Sequence, residues 1–324
     1  MIVVVTNRNI NEGETGENLF GEKPNEVSLD ELRIAIANHD ESNERWQVEL
    51  LPEPDAMNEA NVPSKRLFNR IITAIGAGEL KADWLFYVHG FNQSFRGNLE
   101  ECRRLEQTYG VNIIAFSWPS NQGGFISNEY RDARAAARAS SLALDRTLEK
   151  LGRYIEERNS MSRSQGVNSE GCSIRLNFMC YSLGCFLVQE FIKSPIFGGE
   201  TRIFDNVIFQ QADVDNKNHY TWIDLINSRR IYVTINERDA VLKASDIINP
   251  ARLGNTAERL IAERPIYVDF TDAENVGSSH DIFLGIEGNE VITQFCQRVI
   301  TGGRGELVRG FKYDAYSNTF RVDE

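Results

Sequence analysis

The stretch CYSLG, residues 180–184, sets a serine between an apolar run and a segment with helical periodicity. A serine hydroxyl is a poor nucleophile near neutral pH unless a sharp strand-to-helix turn presents it and a neighbouring imidazole takes its proton. Such a turn brings strand and helix almost into contact, so the positions two before and two after the serine must be small. Cys180 and Gly184 occupy them. Cys180 stands where glycine is usual, and the pentapeptide alone is equally consistent with Ser182 as a small residue at a packing point.

An activated serine needs a base and an acid that orients it. The chain holds four histidines: His39 in an acidic early helix or loop, His89 in the HG turn directly after a strand, His219 at a polar helix start, and His280 in NVGSSHD after the strand IYVDF. A serine on such a turn resembles the α/β-hydrolase arrangement, in which acid and then base follow the nucleophile along the chain and the histidine comes from a loop past the final strand. His280 fits that order. Asp239, in TINERDAVL, follows the strand two after the serine's and is the expected acid; Asp213, in FQQADVDN, follows the intervening strand and is the alternative. Asp213 and Asp215 could also be turn carboxylates or a metal pair, though no third ligand shows the spacing for one.

The tetrahedral intermediate of acyl transfer requires two N–H donors. Leu183 supplies one directly after the serine, and the turn YVHGFNQSF supplies the other from Phe91 or Asn92, with Asn92 or Ser94 also placed to cap the following helix. Trp118, Tyr181 and His89 are the expected substrate contacts. Phe91, Phe125 and Leu242 would add apolar wall. For Trp118 the alternative is a strand-end packing role.

The elements that must position these residues follow from the apolar pattern. Runs at 2–6, 46–50, 84–88, 112–118, 173–179, 206–210, 230–235 and 266–270 read as strands, several without polar alternation, as expected where both sheet faces are covered. Helical periodicity marks 65–76, 96–109, 128–158, 184–193 and 288–300, while 7–27, 119–127 and 159–172 read as loops. Strands alternating with helices predict a three-layer α/β fold with a mostly parallel, doubly wound sheet. The expected organisation is one domain over 1–305 and a C-terminal hairpin or tail over 306–324, turning near Tyr316 to Asn318.

In its 324 residues 41% are hydrophobic and 25% charged, the balance of a globular protein, and the net charge of −12 offers no global field for nucleic acid or anionic lipid. Arg131, Arg134 and Arg138 read as a solvated helix face. The five cysteines show no paired or zinc-type spacing and are expected as buried free thiols. MIVVVTNRN reads as a first strand rather than a signal peptide, and no stretch has the apolar length of a membrane span, so the expected location is cytoplasmic, without stable membrane insertion.

With HGFN at 89–92, SWPS at 117–120, the Ser182 elbow, ADVD at 212–215, Asp239 and His280 in this order, the chain resembles a family of bacterial α/β-hydrolases of uncharacterised function. The likeness runs from about Trp84 to His280. It implies an esterase- or lipase-like triad of Ser182, Asp239 and His280, working without cofactor or metal on a small-molecule or lipid ester. Members often carry histidine just before the serine and a small aliphatic residue before that; here Tyr181 and Cys180 stand there. A second reading, from another class, is a catalytically silent or partner-gated interaction module that meets a protein partner through the C-terminal hairpin or the 7–27 loop.

Overall fold

The computed structural model describes residues 1–25, 27–28, 31–52, 62–121, 126–164, 174–195, 197, 202–246 and 249–322. Five strands come first: β1 (Ile2–Thr6), β2 (Arg8–Ile10), β3 (Phe20–Pro24), β4 (Arg33–Asp40) and β5 (Arg45–Leu50). Then strands and helices alternate: α1 (Pro63–Gly76), β6 (Asp83–Val88), α2 (Phe95–Tyr109), β7 (Asn112–Ser117), α3 (Ile126–Ser164), β8 (Arg175–Tyr181) and α4 (Leu183–Ile192). They continue through β9 (Phe204–Gln210), α5 (Tyr220–Ile223), β10 (Ser228–Ile235), α6 (Ala240–Asp246), β11 (Pro265–Asp269), α7 (Glu290–Ile300), β12 (Phe311–Asp314) and β13 (Thr319–Val322).

One 11-stranded sheet runs in the order β12-β13-β11-β10-β9-β8-β6-β7-β1-β4-β5. Every pairing from β13 to β1 is parallel, and only the outer pairs β12–β13, β1–β4 and β4–β5 are antiparallel. In β6 the alternation is read directly from burial: Trp84, Phe86 and Val88 enter one core with α1, α3 and α4, while Leu85 and Tyr87 enter the other with α2 and α7. Helices therefore cover both faces, which is why these strands read as unbroken apolar runs.

The chain turns from β6 toward β7 on one side and returns at β8 on the other. The loops leaving β6 and β8 thus diverge to opposite faces at the carboxyl edge, and switch points of this kind are where open α/β sheets bind ligands. Ser182 and the HGFN turn both sit there.

Several sequence expectations change. The stretch 7–27 contains the paired strands β2 and β3, and 33–40 is a strand rather than a loop or helix, which places His39 in β4 against Trp46. β2 pairs with β3 within the stretch itself and β4 pairs with both β1 and β5, so these segments are held by neighbours close in the chain. The long helix α3 starts at Ile126 and continues to Ser164. Arg131 and Arg138 lie exposed on it as expected, Arg138 pairing with Glu190 at 3.1 Å, whereas Arg134 is half-buried with its guanidinium 3.8 Å from the centre of the Phe186 ring. The C-terminal hairpin forms as β12 and β13, and β13 joins β11, where Arg321 meets Asp269 at 3.1 Å. Cys102, Cys180, Cys185 and Cys296 are buried free thiols; Cys172 lies outside the described residues. Among the described residues no helix is long and apolar enough to cross a membrane.

Candidate active site

Ser182 joins β8 to α4 with φ 51° and ψ −122°, a backbone conformation that costs a non-glycine residue about 1–3 kcal/mol and persists only where the surroundings enforce it. They do so here. The Ser182 N–H donates to Gln210 O at 3.0 Å, and its carbonyl accepts from Cys185 N at 3.0 Å and Asp213 N at 3.1 Å. Gly184 lies so close to β6 that a Cβ would stand 2.4 Å from His89 O. Cys180, fully buried, fits the tight position on the strand side. The serine side chain makes no capping bond to α4, so a capping role does not account for it.

Its hydroxyl instead meets His280, whose Nε2 lies 2.9 Å from Ser182 Oγ while Nδ1 lies 2.6 Å from Asp239 Oδ2. An ionised carboxylate can only accept, so Nδ1–H donates to Asp239 and the neutral ring leaves Nε2 to accept the serine proton. Asp239 is wholly buried. Its other oxygen accepts from Val241 N at 2.9 Å and Leu242 N at 3.0 Å and so caps α6. The histidine loop is sewn to the acid's loop by Asn236, whose Nδ2 donates to Gly277 O and Ser279 O at 3.1 and 2.9 Å. Asn236 was not legible as a site residue, since nothing in TINERD distinguishes it from a turn asparagine.

The Leu183 N–H heads α4, where the helix end carries partial positive charge toward the serine. In the HGFN turn the Asn92 N–H is taken by Ser120 O at 3.2 Å, whereas the Phe91 N–H has no partner among the described residues. Of the two donors expected there, Phe91 is the one left available. Gly90 lets the turn approach; a Cβ on it would stand 3.0 Å from Ser182 Cβ.

His89 and Trp118 are corrections. Both are fully buried and therefore touch no substrate. Their rings stack 5.4 Å apart, the Trp118 N–H donates to His89 Nε2 at 3.1 Å, and Trp118 Nε1 donates to His89 O at 2.9 Å. Burial, reinforced by the charge of Arg8, pushes the His89 imidazole down to about 3, so it stays neutral. The HGFN and SWPS stretches are in this way one lock, with Ser120 Oγ also accepting from Gln93 N at 3.0 Å. Arg8, missed in the polar stretch after β1, completes it: its buried guanidinium reaches Ser117 Oγ, Gly21 O, Glu22 and Gln93 O.

Tyr181 stays at the site, its ring 5.0 Å from His280 and 4.6 Å from Phe283. Leu242 is buried and lines no opening, and Phe125 lies outside the described residues. Asp213 is not against His280. Its carboxylate accepts from Tyr130 OH at 2.8 Å and Ser245 Oγ at 3.0 Å and pairs with Arg252 Nε at 3.0 Å. Arg252 bridges Asp213 to Asp215, so a guanidinium stands where a metal pair was considered. No group of three metal-ligating side chains converges among the described residues. An apolar hollow of about 150 Å³ lies under α1 and α3, lined by Val5, Leu67, Phe68, Phe86 and Tyr154, in mid-sheet and without any candidate catalytic residue.

No protein of curated function matches the chain. Residues 77–265, more than half of the chain, match the family described as alpha/beta hydrolase of unknown function (DUF900). That span carries Ser182, Asp239 and the HGFN turn, with His280 beyond its end. The elbow at the sheet's switch point, the mostly parallel sheet and this match agree: the chain belongs to the DUF900 family of alpha/beta hydrolases of unknown function.

Proposed function

We propose that the protein is a cofactor-independent serine hydrolase of carboxylic esters, with Ser182 as nucleophile, His280 as general base and Asp239 as the acid that orients it. The carrying observation is the unbroken relay from Asp239 Oδ2 through His280 to Ser182 Oγ, at 2.6 and 2.9 Å. His280 Nε2 takes the serine proton as Oγ attacks the ester carbonyl, and the oxyanion that forms is met by the N–H groups of Leu183 and Phe91. The imidazolium, stabilised by Asp239, returns the proton to the departing alcohol. Water, deprotonated by the same nitrogen, then releases the acid from Ser182. Tyr181 and Phe91 flank the serine, and the substrate class is a small-molecule or lipid ester.

The test is intact-mass labelling with a fluorophosphonate, run beside p-nitrophenyl esters of increasing chain length. A single adduct on the wild type, absent from Ser182→Ala, together with a fall in hydrolysis of at least about 10³-fold in that variant, is expected. Hydrolysis unchanged in Ser182→Ala, or no adduct on the wild type, would overturn the assignment.

A further inference from the structure

Asp213 occupies a position for which the proposed chemistry has no use, yet its contacts reach every part of the site. Its backbone N–H donates to the carbonyl of Ser182 at 3.1 Å, one of the bonds that hold the strained elbow. Its Oδ1 accepts from Ser245 Oγ at 3.0 Å, and Ser245 lies on α6, the helix that Asp239 caps. Its Oδ2 accepts from Tyr130 OH at 2.8 Å, and the Tyr130 ring packs edge-on against Phe91, 5.7 Å between centroids. Arg252, wholly buried, closes the cluster at 3.0 Å from Oδ1.

Burying an ion pair is a poor route to stability, because desolvation consumes most of the attraction and apolar residues of the same volume do as well. What a buried carboxylate offers in exchange is direction: its lone pairs accept only from donors at set angles. Here the donors come from Tyr130 on α3, Ser245 on α6 and Arg252 in the segment after α6, three separate elements gathered on one carboxylate. Resting on the serine-hydrolase reading above, we infer that Asp213 is the positioning residue of the site, setting the elbow, the acid's helix and the oxyanion turn in mutual register. Tyr130 is its arm toward Phe91. Neither touches the reacting atoms.

Tyr130→Phe removes the hydroxyl and keeps the ring, and Tyr154→Phe is the control, since Tyr154 lies further along the same helix α3 and its hydroxyl meets Ser64 of α1 at 2.8 Å. The readouts are kcat and KM on a p-nitrophenyl ester, the fluorophosphonate labelling rate, thermal unfolding, and the downfield proton resonance of His280 Nδ1. Tyr130→Phe is expected to lower kcat and labelling about 10- to 100-fold with KM within about twofold, as misplacement of reacting groups does. The His280 resonance shifts with it, whereas Tyr154→Phe changes thermal unfolding by a similar amount and neither rate nor resonance. Asp213→Asn is expected to exceed Tyr130→Phe in the same direction; should it fail to fold, Tyr130→Phe decides. Wild-type kcat and an unmoved His280 resonance in Tyr130→Phe would overturn the inference. If the wild type neither labels nor hydrolyses, the serine-hydrolase reading has failed, and the resonance alone still decides whether Asp213 and Tyr130 set the geometry of His280.

Discussion

Asp239 divides its carboxylate between two tasks, holding His280 Nδ1 at 2.6 Å with Oδ2 and capping α6 through Oδ1 with the N–H groups of Val241 and Leu242. The cap fixes the plane of the carboxylate, and that plane aims the imidazole at Ser182. The carboxylate that meets His280 is thereby itself oriented by the start of a helix.

Replacing Asp239 with asparagine separates the two tasks. The amide oxygen can still cap α6, but the NH₂ facing His280 Nδ1 forces the other tautomer, with the proton on Nε2 where it cannot accept from serine. Asp239→Asn is expected to lower kcat about 10³- to 10⁴-fold while unfolding near the wild-type temperature. A kcat within tenfold of wild type would show that the imidazole does not depend on this carboxylate.

His89 links stability to pH. Its imidazole is held near 3 against an ordinary 6.5, first by burial and then by Arg8. Below about pH 6.5 the unfolded chain takes up a proton that the native state refuses, so the stabilisation is complete above that pH and is lost as pH falls toward about 3. The loss from this group is up to about 1.4 kcal/mol per pH unit. Urea unfolding at about pH 7 and about pH 5 is expected to show a steeper fall for wild type than for His89→Gln, which starts less stable. Parallel falls would place the acid sensitivity elsewhere.

Gly184→Ala tests the closeness of elbow and sheet. The added carbon would stand 2.4 Å from His89 O and 2.8 Å from Val88 O, both backbone atoms of the adjacent strand end. Neither can swing aside, so a loss of about 1–3 kcal/mol is expected with overpacking of this kind. Fluorophosphonate labelling should fall as well, because His89 O lies in the turn that carries Phe91. Wild-type stability would mean that β6 and α4 stand further apart.

Arg8→Lys tests the brace on that turn. A guanidinium serves Ser117, Gly21, Glu22 and Gln93 at once, and an ammonium on a flexible stem cannot reproduce that fork. The charge survives, so the expected loss is that of the unmade hydrogen bonds, about 1–3 kcal/mol by urea unfolding, with a slower labelling rate. An unchanged labelling rate would show that the HGFN and SWPS stretches hold each other without β2 and β3.

Sequence alone determined what local chemistry dictates. Apolar runs such as WLFYV and NVIFQ, covered on both faces, specified a parallel sheet between helices. The small residues Cys180 and Gly184 around Ser182 were compatible with an elbow but equally with a packing point, and it was the order of Ser182, Asp239 and His280 along the chain, that of α/β-hydrolases, which favoured the elbow. The paired strands in 8–24 and the strand at 33–40 were not legible, because polar residues interrupt them and leave no sustained apolar alternation, so the backbone pairing of β2 with β3 and of β4 with β1 and β5 leaves no pattern to read.

Only the tertiary structure decided the roles that depend on neighbours distant in the chain. Asp213 and Asp239 look alike as carboxylates after strands. One is claimed by Tyr130, Ser245 and Arg252, the other is left facing His280. His89 and Trp118 read as pocket residues until the fold stacked them and removed both from water. Asn92 and Phe91 offered equivalent N–H groups until Ser120, from the next strand's loop, took one of them. In each case the side chain or peptide is the same object in both descriptions. What differs is which donors, acceptors and rings the fold sets against it, and burial makes that choice absolute, because a polar group out of reach of water has only those partners.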